Sequence, residues 1–234
     1  MASMRIPLTK YGLPEVVLYP AVIVAAMVVL LLAGRGDLGT GWLILGEAVL
    51  GVLLVWALSF FRDPARECPS DEDLLLAPAD GRVTEIATVH EEGFISGEAL
   101  RIGIFLSIFD AHINRAPCAA RVERITYRKG TFKNALRADS GRVNESNAIM
   151  MVRTAEPRDR LVVRQVSGAI ARRIVCDVLE GQQLTAGQKV GMIKFGSRTE
   201  LYVPRGEGAR CLVRPGQKVK AGLTPLVRYE RCRD

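Results

Sequence analysis

The sequence predicts a mainly β, sandwich-like domain preceded by an N-terminal α-helical membrane hairpin. Two almost uninterrupted apolar runs, at residues 16–34 and 42–61, predict the hairpin. Beyond them, short runs rich in β-branched and apolar residues alternate with Gly, Pro and Asp, which is typical of antiparallel strands joined by turns. We therefore divide the chain into a membrane-anchoring segment, residues 1–61, and a β domain, residues 62–234.

Each apolar run is about as long as the roughly 20 residues that a helix needs to cross a bilayer. Only residues 35–41 separate the runs, so the two helices must be antiparallel neighbours. Arg5 and Lys10 precede the pair, and Arg62 and Arg66 follow it. By the positive-inside rule both ends lie in the cytoplasm. The expected location is the cell (inner) membrane, with the β domain on the cytoplasmic face.

Charge is unevenly distributed along the chain. Acidic and basic residues cancel over residues 1–61, so the whole formal net charge of +7 lies on residues 62–234. A basic domain behind apolar segments suits an anionic membrane surface. We expect no nucleic-acid partner, because zinc-finger spacing, an aromatic RNA-binding motif and a basic helix are all missing from the sequence.

Glu47 lies inside the second run, where an ionised carboxylate is costly, so a hairpin embedded in one leaflet remains an alternative to a full span.

Two further patterns concern the β domain. The five cysteines are scattered, odd in number and without a C-x-x-C pair, which predicts neither a disulfide framework nor a metal site. A near-repeat, G-Q-x-Φ-x-A-G with Φ apolar, occupies residues 181–187 and 216–222. It resembles the turns of biotinyl- and lipoyl-type barrel-sandwich domains. Because no lysine lies in a Met-Lys-Met attachment turn, a carrier role is disfavoured and a structural role is expected.

Two segments contain residues suited to proton transfer. Asp80 lies in Pro78-Ala-Asp-Gly81, a turn signature that precedes a predicted strand. His112 lies in the segment 105–117, which follows an apolar strand. The only other histidine, His90, lies in a polar stretch beside two glutamates. Imidazole chemistry near neutral pH is therefore assigned to His112 by elimination.

The third segment contains the dipeptide Gly196-Ser197, between an apolar run and a strand-like stretch. Taken alone, it is an ordinary turn dipeptide. A membrane-anchored serine hydrolase using Ser197, His112 and Asp80 is one alternative, although the G-x-S-x-G elbow is absent because Arg-Thr follows the serine. A non-enzymatic barrel-sandwich adaptor of a transport complex is another.

Together these segments closely resemble the phosphatidylserine decarboxylase family in its short form. The matching motifs, in chain order, are FFRDP at 60–64, PADG at 78–81, FDAHINRAP at 109–117, NESN at 144–147, IARRI at 170–174 and FGSR at 195–198. The resemblance covers essentially the whole chain. It implies a carboxy-lyase of phospholipid biosynthesis that converts phosphatidylserine to phosphatidylethanolamine and carbon dioxide.

The resemblance also implies a proenzyme that cleaves itself between Gly196 and Ser197. The Ser197 hydroxyl would attack the Gly196 carbonyl and form an ester by an N-to-O acyl shift. β-Elimination would release a β chain, residues 1–196, and leave dehydroalanine, which hydrolyses to ammonia and a pyruvoyl group on an α chain, residues 197–234. The substrate amine would form a Schiff base with this covalent cofactor, which accepts the electrons of the lost carboxylate. The two chains would stay associated and could assemble into a homo-oligomer.

Residue roles follow from the same resemblance. Asp80 and a histidine would assist self-cleavage as orienter and base, and His112 is the candidate to protonate the substrate carbon. Arg115, Arg172 and Arg173 are candidates to bind the lipid phosphate or the serine carboxylate. Larger relatives have a second histidine where this chain has Arg115, and Leu-Gly-Ser-Thr where it has Phe-Gly-Ser-Arg. Either His112 serves both steps, or Asp80 and water do more of the work in self-cleavage.

Overall fold

The structure is a computed structural model of the 234-residue chain. It describes residues 8–37, 39–135, 140–169, 173–194, 196–206 and 208–230. The chain divides into two compact units, Met1–Ala65 and Arg66–Asp234. The first unit is helical, and the second is built almost entirely from β-strands.

Two long apolar helices make up most of the first unit. Helix α1 spans Glu15–Asp37 and helix α2 spans Thr40–Phe60, which confirms the two predicted helices. Both are long and apolar enough to cross a membrane, judged by length and composition. A helix rises about 1.5 Å per residue and the hydrocarbon core is about 30 Å thick, so about 20 residues suffice.

Glycines let the two helices approach each other closely. A Cβ added to Gly34 of α1 would lie 2.7 Å from a methyl carbon of Leu43 in α2. Likewise, a Cβ added to Gly46 of α2 would lie 2.7 Å from a methyl carbon of Leu30 in α1. Small residues at such points are what allow apolar helices to pack without a hydrophobic driving force. Both contacts join a late residue of α1 to an early residue of α2, so the helices form an antiparallel hairpin.

In the part of the second unit that the structure describes, antiparallel strands are accompanied by one short helix, α3 (Ser140–Val143). The strands are β1 (Leu74–Leu76), β2 (Gly81–Glu91), β3 (Gly97–Leu106), β4 (Ile113–Arg115), β5 (Ala120–Arg128), β6 (Ser146–Arg153), β7 (Arg160–Val166), β8 (Ile174–Cys176), β9 (Gln183–Leu184), β10 (Lys189–Ile193), β11 (Ser197–Pro204), β12 (Ala209–Cys211), β13 (Lys218–Val219) and β14 (Pro225–Tyr229). The mainly β prediction is confirmed.

Three sheets surround a large hydrophobic core, and a smaller cluster that includes Ala99, Met150 and Tyr202 is separate from it. The large sheet has the strand order β13-β2-β3-β11-β7-β6-β5-β9, and the two smaller sheets have the orders β1-β14-β12 and β4-β10-β8. Strands of all three sheets contribute buried apolar side chains to the core, among them Leu75 of β1, Ile102 of β3, Val190 of β10 and Leu201 of β11. One face of the large sheet therefore packs against the smaller sheets, which gives the sandwich-like layering.

The two copies of the glycine near-repeat form turns that meet in space. Their last residues, Gly187 and Gly222, have φ of +72° and +71°, a conformation that glycine adopts without the steric cost other residues incur. A Cβ added to Gly187 would lie 1.9 Å from Cys68 Sγ, and one added to Gly222 would lie 3.5 Å from the Gly187 Cα. This close packing gives the near-repeat a structural role.

Candidate active site

The dipeptide Gly196-Ser197 lies where the chain enters the middle of the large sheet. Ser197 is the first residue of β11, which pairs with β3 on one side and with β7 on the other. Gly196 has φ of +58°, so the backbone changes conformation at the residue that precedes the strand. Ser197 is fully buried, and its Oγ has no hydrogen-bond partner among the described residues. A buried hydroxyl without a partner is costly and uncommon in a native protein, and here it lies directly after the Gly196 carbonyl.

The segment that follows β7 lies directly against the Gly196 carbonyl. Arg198 of β11 pairs with Val166 of β7, and continuing that register would put Gly168 opposite Gly196. A Cβ added to Gly168 would lie only 1.6 Å from the Gly196 carbonyl oxygen, so glycine alone fits at position 168. The carbonyl that Ser197 would attack is therefore held against the backbone of the neighbouring strand.

His112 is buried immediately before β4. Its Nδ1 lies 2.9 Å from the Asp110 carbonyl oxygen. Because a carbonyl oxygen can only accept, Nδ1 carries the proton in this contact, and the neutral ring then has Nε2 as its basic nitrogen. The His112 carbonyl accepts a hydrogen bond from the Ile193 backbone N–H at 3.3 Å. This bond places the histidine beside the segment that leads into Gly196.

A chain of buried amides links the strand after the histidine to the strand that begins at the serine. Asn114 donates to Thr199 Oγ1 at 3.0 Å and accepts from Gln165 Nε2 at 2.9 Å, and Gln165 accepts from Asn147 Nδ2 at 3.0 Å. All four side chains are buried. Asn114 and Thr199 lie two residues beyond the candidate base and the candidate nucleophile, respectively. A satisfied buried network of this kind specifies one arrangement of β4 relative to β11.

Asp80 binds an arginine rather than the histidine. Its carboxylate accepts two hydrogen bonds from Arg66, at 2.5 and 2.7 Å, and a third from the Ala221 backbone N–H at 2.8 Å. The backbone of its segment does adjoin β4, because the Pro78 carbonyl accepts from the Arg115 N–H at 2.9 Å. The structure thus brings the Asp80 and His112 segments together, while the carboxylate itself pairs with Arg66, a residue that the sequence offered only as a charge flanking the hairpin.

The three candidate arginines have different environments. Arg115 is buried and donates to the Gly187 carbonyl at 3.0 Å, where it supports one of the glycine turns. Arg172 lies outside the described residues. Arg173 has an exposed side chain, and its carbonyl accepts from the Lys194 backbone N–H at 3.2 Å. Of the two that the structure describes, Arg173 is therefore the one adjacent to the chain leading into the dipeptide.

Sequence reasoning missed Lys194, which is buried three residues before Ser197. A lysine is seldom fully buried unless its charge is balanced. The signal was present in the sequence, because Lys194 is the only ionisable residue in the otherwise apolar stretch from Gly191 to Gly196. It adds a cation to a site whose expected substrate is anionic.

Comparison with known proteins assigns the family. The family model described as phosphatidylserine decarboxylase matches residues 53–226. A phosphatidylserine decarboxylase proenzyme of Carboxydothermus hydrogenoformans is 44% identical over 179 residues, which is 76% of this chain and 82% of that protein. The proenzyme of Rhodopirellula baltica is 38% identical over 231 residues, covering 97% of this chain and 90% of that protein, and one of Burkholderia mallei is 37% identical over 208 residues, covering 89% and 91%. This chain belongs to the phosphatidylserine decarboxylase family.

Proposed function

We propose that the chain is a proenzyme that cleaves itself between Gly196 and Ser197 and then decarboxylates phosphatidylserine to phosphatidylethanolamine. The observation that carries the proposal is the buried Ser197 hydroxyl, which has no partner among the described residues and directly follows the Gly196 carbonyl. Family membership supports the decarboxylase activity. The relatives carry the name proenzyme, which is consistent with self-processing.

In the cleavage step, Ser197 Oγ attacks the carbonyl carbon of Gly196. The packing of that carbonyl against Gly168 limits where it can move. A carbonyl held in one orientation relative to the hydroxyl reacts faster than a mobile one. We assign His112 Nε2 as the acceptor of the hydroxyl proton, because Nδ1 is committed to Asp110. Asp80, whose carboxylate is held by Arg66, would support this arrangement through the contact of its segment with β4.

A pyruvoyl group at position 197 fits the surroundings of that residue. The position is buried at the edge of the core, and the hydroxyl that the conversion would consume has no partner among the described residues to lose. Such a group supplies a carbonyl that binds the substrate amine and accepts the electrons of the departing carboxylate. His112 would then donate a proton to the substrate carbon, and Arg173 and Lys194 would attract the anionic head group.

The two chains produced by cleavage are expected to remain one folded unit. The cut precedes β11, so the ladder from Ser197 to Pro204 with β3 and the ladder from Arg198 to Tyr202 with β7 stay intact. The α chain also contributes β13 to the large sheet and β14 to the sheet of β1. We further propose that the apolar hairpin anchors the protein in the cell membrane, with the basic β domain on an anionic cytoplasmic surface.

The serine-hydrolase alternative lacks a structural basis. That alternative uses Asp80, His112 and Ser197 as a triad, in which the carboxylate must hydrogen-bond to the histidine. Here the Asp80 carboxylate pairs with Arg66, and His112 Nδ1 contacts a backbone carbonyl instead.

Intact mass spectrometry of the purified protein tests the proposal. The expected result is two fragments in place of one 25.6 kDa chain, with a blocked N-terminus on the fragment that begins at residue 197. Ser197→Ala should abolish both the cleavage and the release of carbon dioxide from phosphatidylserine. A Ser197→Ala protein that still decarboxylates phosphatidylserine would refute the mechanism.

Ser167→Ala is the matched control for this experiment. Like Ser197, Ser167 is fully buried, and its Oγ has no partner among the described residues. It lies at the end of β7, where the register would put it opposite Ser197. Ser167→Ala should therefore cleave and turn over normally. Loss of cleavage in both variants would show that removing any buried hydroxyl here is damaging, and that Ser197 is not specifically the nucleophile.

A further inference from the structure

The face of β11 opposite Ser197 carries a buried ion pair. Its first member, Arg198, is the second residue after the proposed cut. Side chains alternate along a strand, so Arg198 and Glu200 point away from the face that holds Ser197. Arg198 Nε donates to Glu200 Oε1 at 2.9 Å, and its Nη2 donates to Glu85 Oε2 of β2 at 2.5 Å. Arg198 and Glu200 are each only 1% exposed. One guanidinium is therefore held by two carboxylates from two different strands.

Further charged and polar groups extend this pair into a ladder across four strands. Arg101 of β3 also hydrogen-bonds to Glu85. Tyr202 of β11 donates to Glu200 Oε2 at 2.6 Å, and Arg164 of β7 donates to the Tyr202 hydroxyl at 2.8 Å. The two carboxylates are thus each satisfied by more than one donor, which is the condition under which buried charges are tolerated.

Two glycines provide the space for these side chains. A Cβ added to Gly103 of β3 would lie 2.4 Å from Arg198 Nη2. A Cβ added to Gly141 of α3 would lie 2.6 Å from Glu200 Oε1. A side chain at either position would therefore displace a charged group of this ion pair, and glycine at both positions leaves the pair its space.

Cleavage changes what holds residue 197 in place. In the uncleaved chain, the peptide bond to Gly196 fixes Ser197 from one side and β11 fixes it from the other. After the cut, residue 197 is a chain terminus, and strand termini fray unless something holds them. Displacement of a reacting group by about 1 Å can lower its rate about 100-fold. The first residue able to restrain the new terminus through its side chain is Arg198.

We propose that Arg198, held by Glu85 and Glu200, is a positioning residue that anchors the new N-terminus of the α chain after self-cleavage. This inference rests on the proposed function, because it concerns the end that self-cleavage creates. Arg198 acts through the strand and does not touch the reacting atoms. Its effect is on turnover by the cleaved enzyme, while the cleavage step itself still has the intact peptide bond to position Ser197.

The test compares Arg198→Met with Arg153→Met in the full-length protein. Arg153 is also 1% exposed, and it donates to the backbone carbonyls of Glu156, Pro157 and Glu72 rather than to a residue of β11. It is therefore a matched buried arginine remote from the cut. Self-cleavage is followed by intact mass, and kcat and KM are measured on phosphatidylserine in mixed micelles, per mole of cleaved chain.

We expect Arg198→Met to cleave within about threefold of the wild-type rate and to lose about 10- to 100-fold in kcat, with KM changed by less than about threefold. Arg198→Lys, which keeps one charge-assisted bond, should recover part of the kcat. Hydrogen exchange of the residue 198–200 amides should be faster than wild type in cleaved Arg198→Met and unchanged in Arg153→Met. Arg153→Met is expected to lower thermal stability and to keep the kcat of its folded, cleaved fraction.

The outcomes separate this inference from the proposed function. A wild-type chain that stays uncleaved overturns both. A wild-type chain that cleaves and turns over, with an equal kcat in Arg198→Met, overturns the anchor alone. Failure of folded Arg198→Met to cleave would place the role of Arg198 before the cut and also overturn it. If Arg198→Met does not fold, Glu85→Gln replaces it, because Glu85 is only half-buried, and the same loss in kcat with normal cleavage is expected.

Discussion

Replacing Gly168 by alanine should slow self-cleavage more than it destabilises the protein. The added Cβ would lie 1.6 Å from the Gly196 carbonyl oxygen, whereas a carbon and a carbonyl oxygen in contact are normally about 3.3 Å apart. The carbonyl or the end of β7 must therefore move by about 1.7 Å. Since a shift of about 1 Å can cost about 100-fold in rate, we expect cleavage to be slowed at least about 100-fold, equivalent to about 2.7 kcal/mol in the barrier.

The assay is a time course of fragment formation after synthesis in a cell-free system, read by intact mass. Gly97→Ala is the matched control, because Gly97 also belongs to the region of the large sheet, at the start of β3, but a Cβ added there has nothing within 4 Å. It should cleave at the wild-type rate. Thermal unfolding of both variants shows whether they fold. A folded Gly168→Ala protein that cleaves as fast as Gly97→Ala would refute the view that the Gly196 carbonyl reacts from its position against Gly168.

Three further predictions follow from contacts of the β domain. If Asp80 acts as a pair with Arg66, then Arg66→Met and Asp80→Asn should slow cleavage to similar extents. A much larger effect of Asp80→Asn would show instead that its carboxylate acts on the histidine directly. Burial alone would raise the pKa of Glu85, but hydrogen bonds from two arginines outweigh it and leave the pKa lowered. The stability that ionised Glu85 contributes should therefore be fully present above its unfolded pKa of about 4.3, and it should be lost as the pH falls through its lower folded pKa. The difference in melting temperature between wild type and Glu85→Gln should shrink on acidification from pH 6 to pH 3. Burial raises the pKa of Cys118 to about 12, so maleimide at pH 7 should leave it unmodified in the native protein and label it after unfolding, as read by peptide mass.

The parts of the structure that depend on local patterns could be predicted from the sequence. Apolar runs at residues 16–34 and 42–61 correspond to α1 and α2, and β-branched runs between turn residues correspond to strands. These patterns work because helix length, side-chain alternation and turn glycines are properties of neighbouring residues. The paired turns at Gly187 and Gly222 were likewise detectable as a repeat.

The contacts that define the site could not be predicted in the same way, because they depend on strand register. Gly168 meets Gly196 only because β7 and β11 pair with Val166 opposite Arg198. A register shifted by one residue would have moved every side chain of the strand to the other face. The pairing of Asp80 with Arg66 similarly depends on where the segment before β1 lies. Motif resemblance proposed Ser197 as the reacting serine, while the residues around it could be found only in the assembled sheet.

The position proposed for the scissile bond would meet two opposing demands on β11. The new chain end must be buried among core residues to exclude water from its chemistry, which favours a central strand. A break within such a strand would sever its ladders and release the end. A break just before Ser197 leaves both ladders whole, and the positive φ of Gly196 already interrupts the extended backbone there. If the chain is cut as we propose, the start of a central strand, with a buried ion pair on its second residue, is a place where the new end would stay in position.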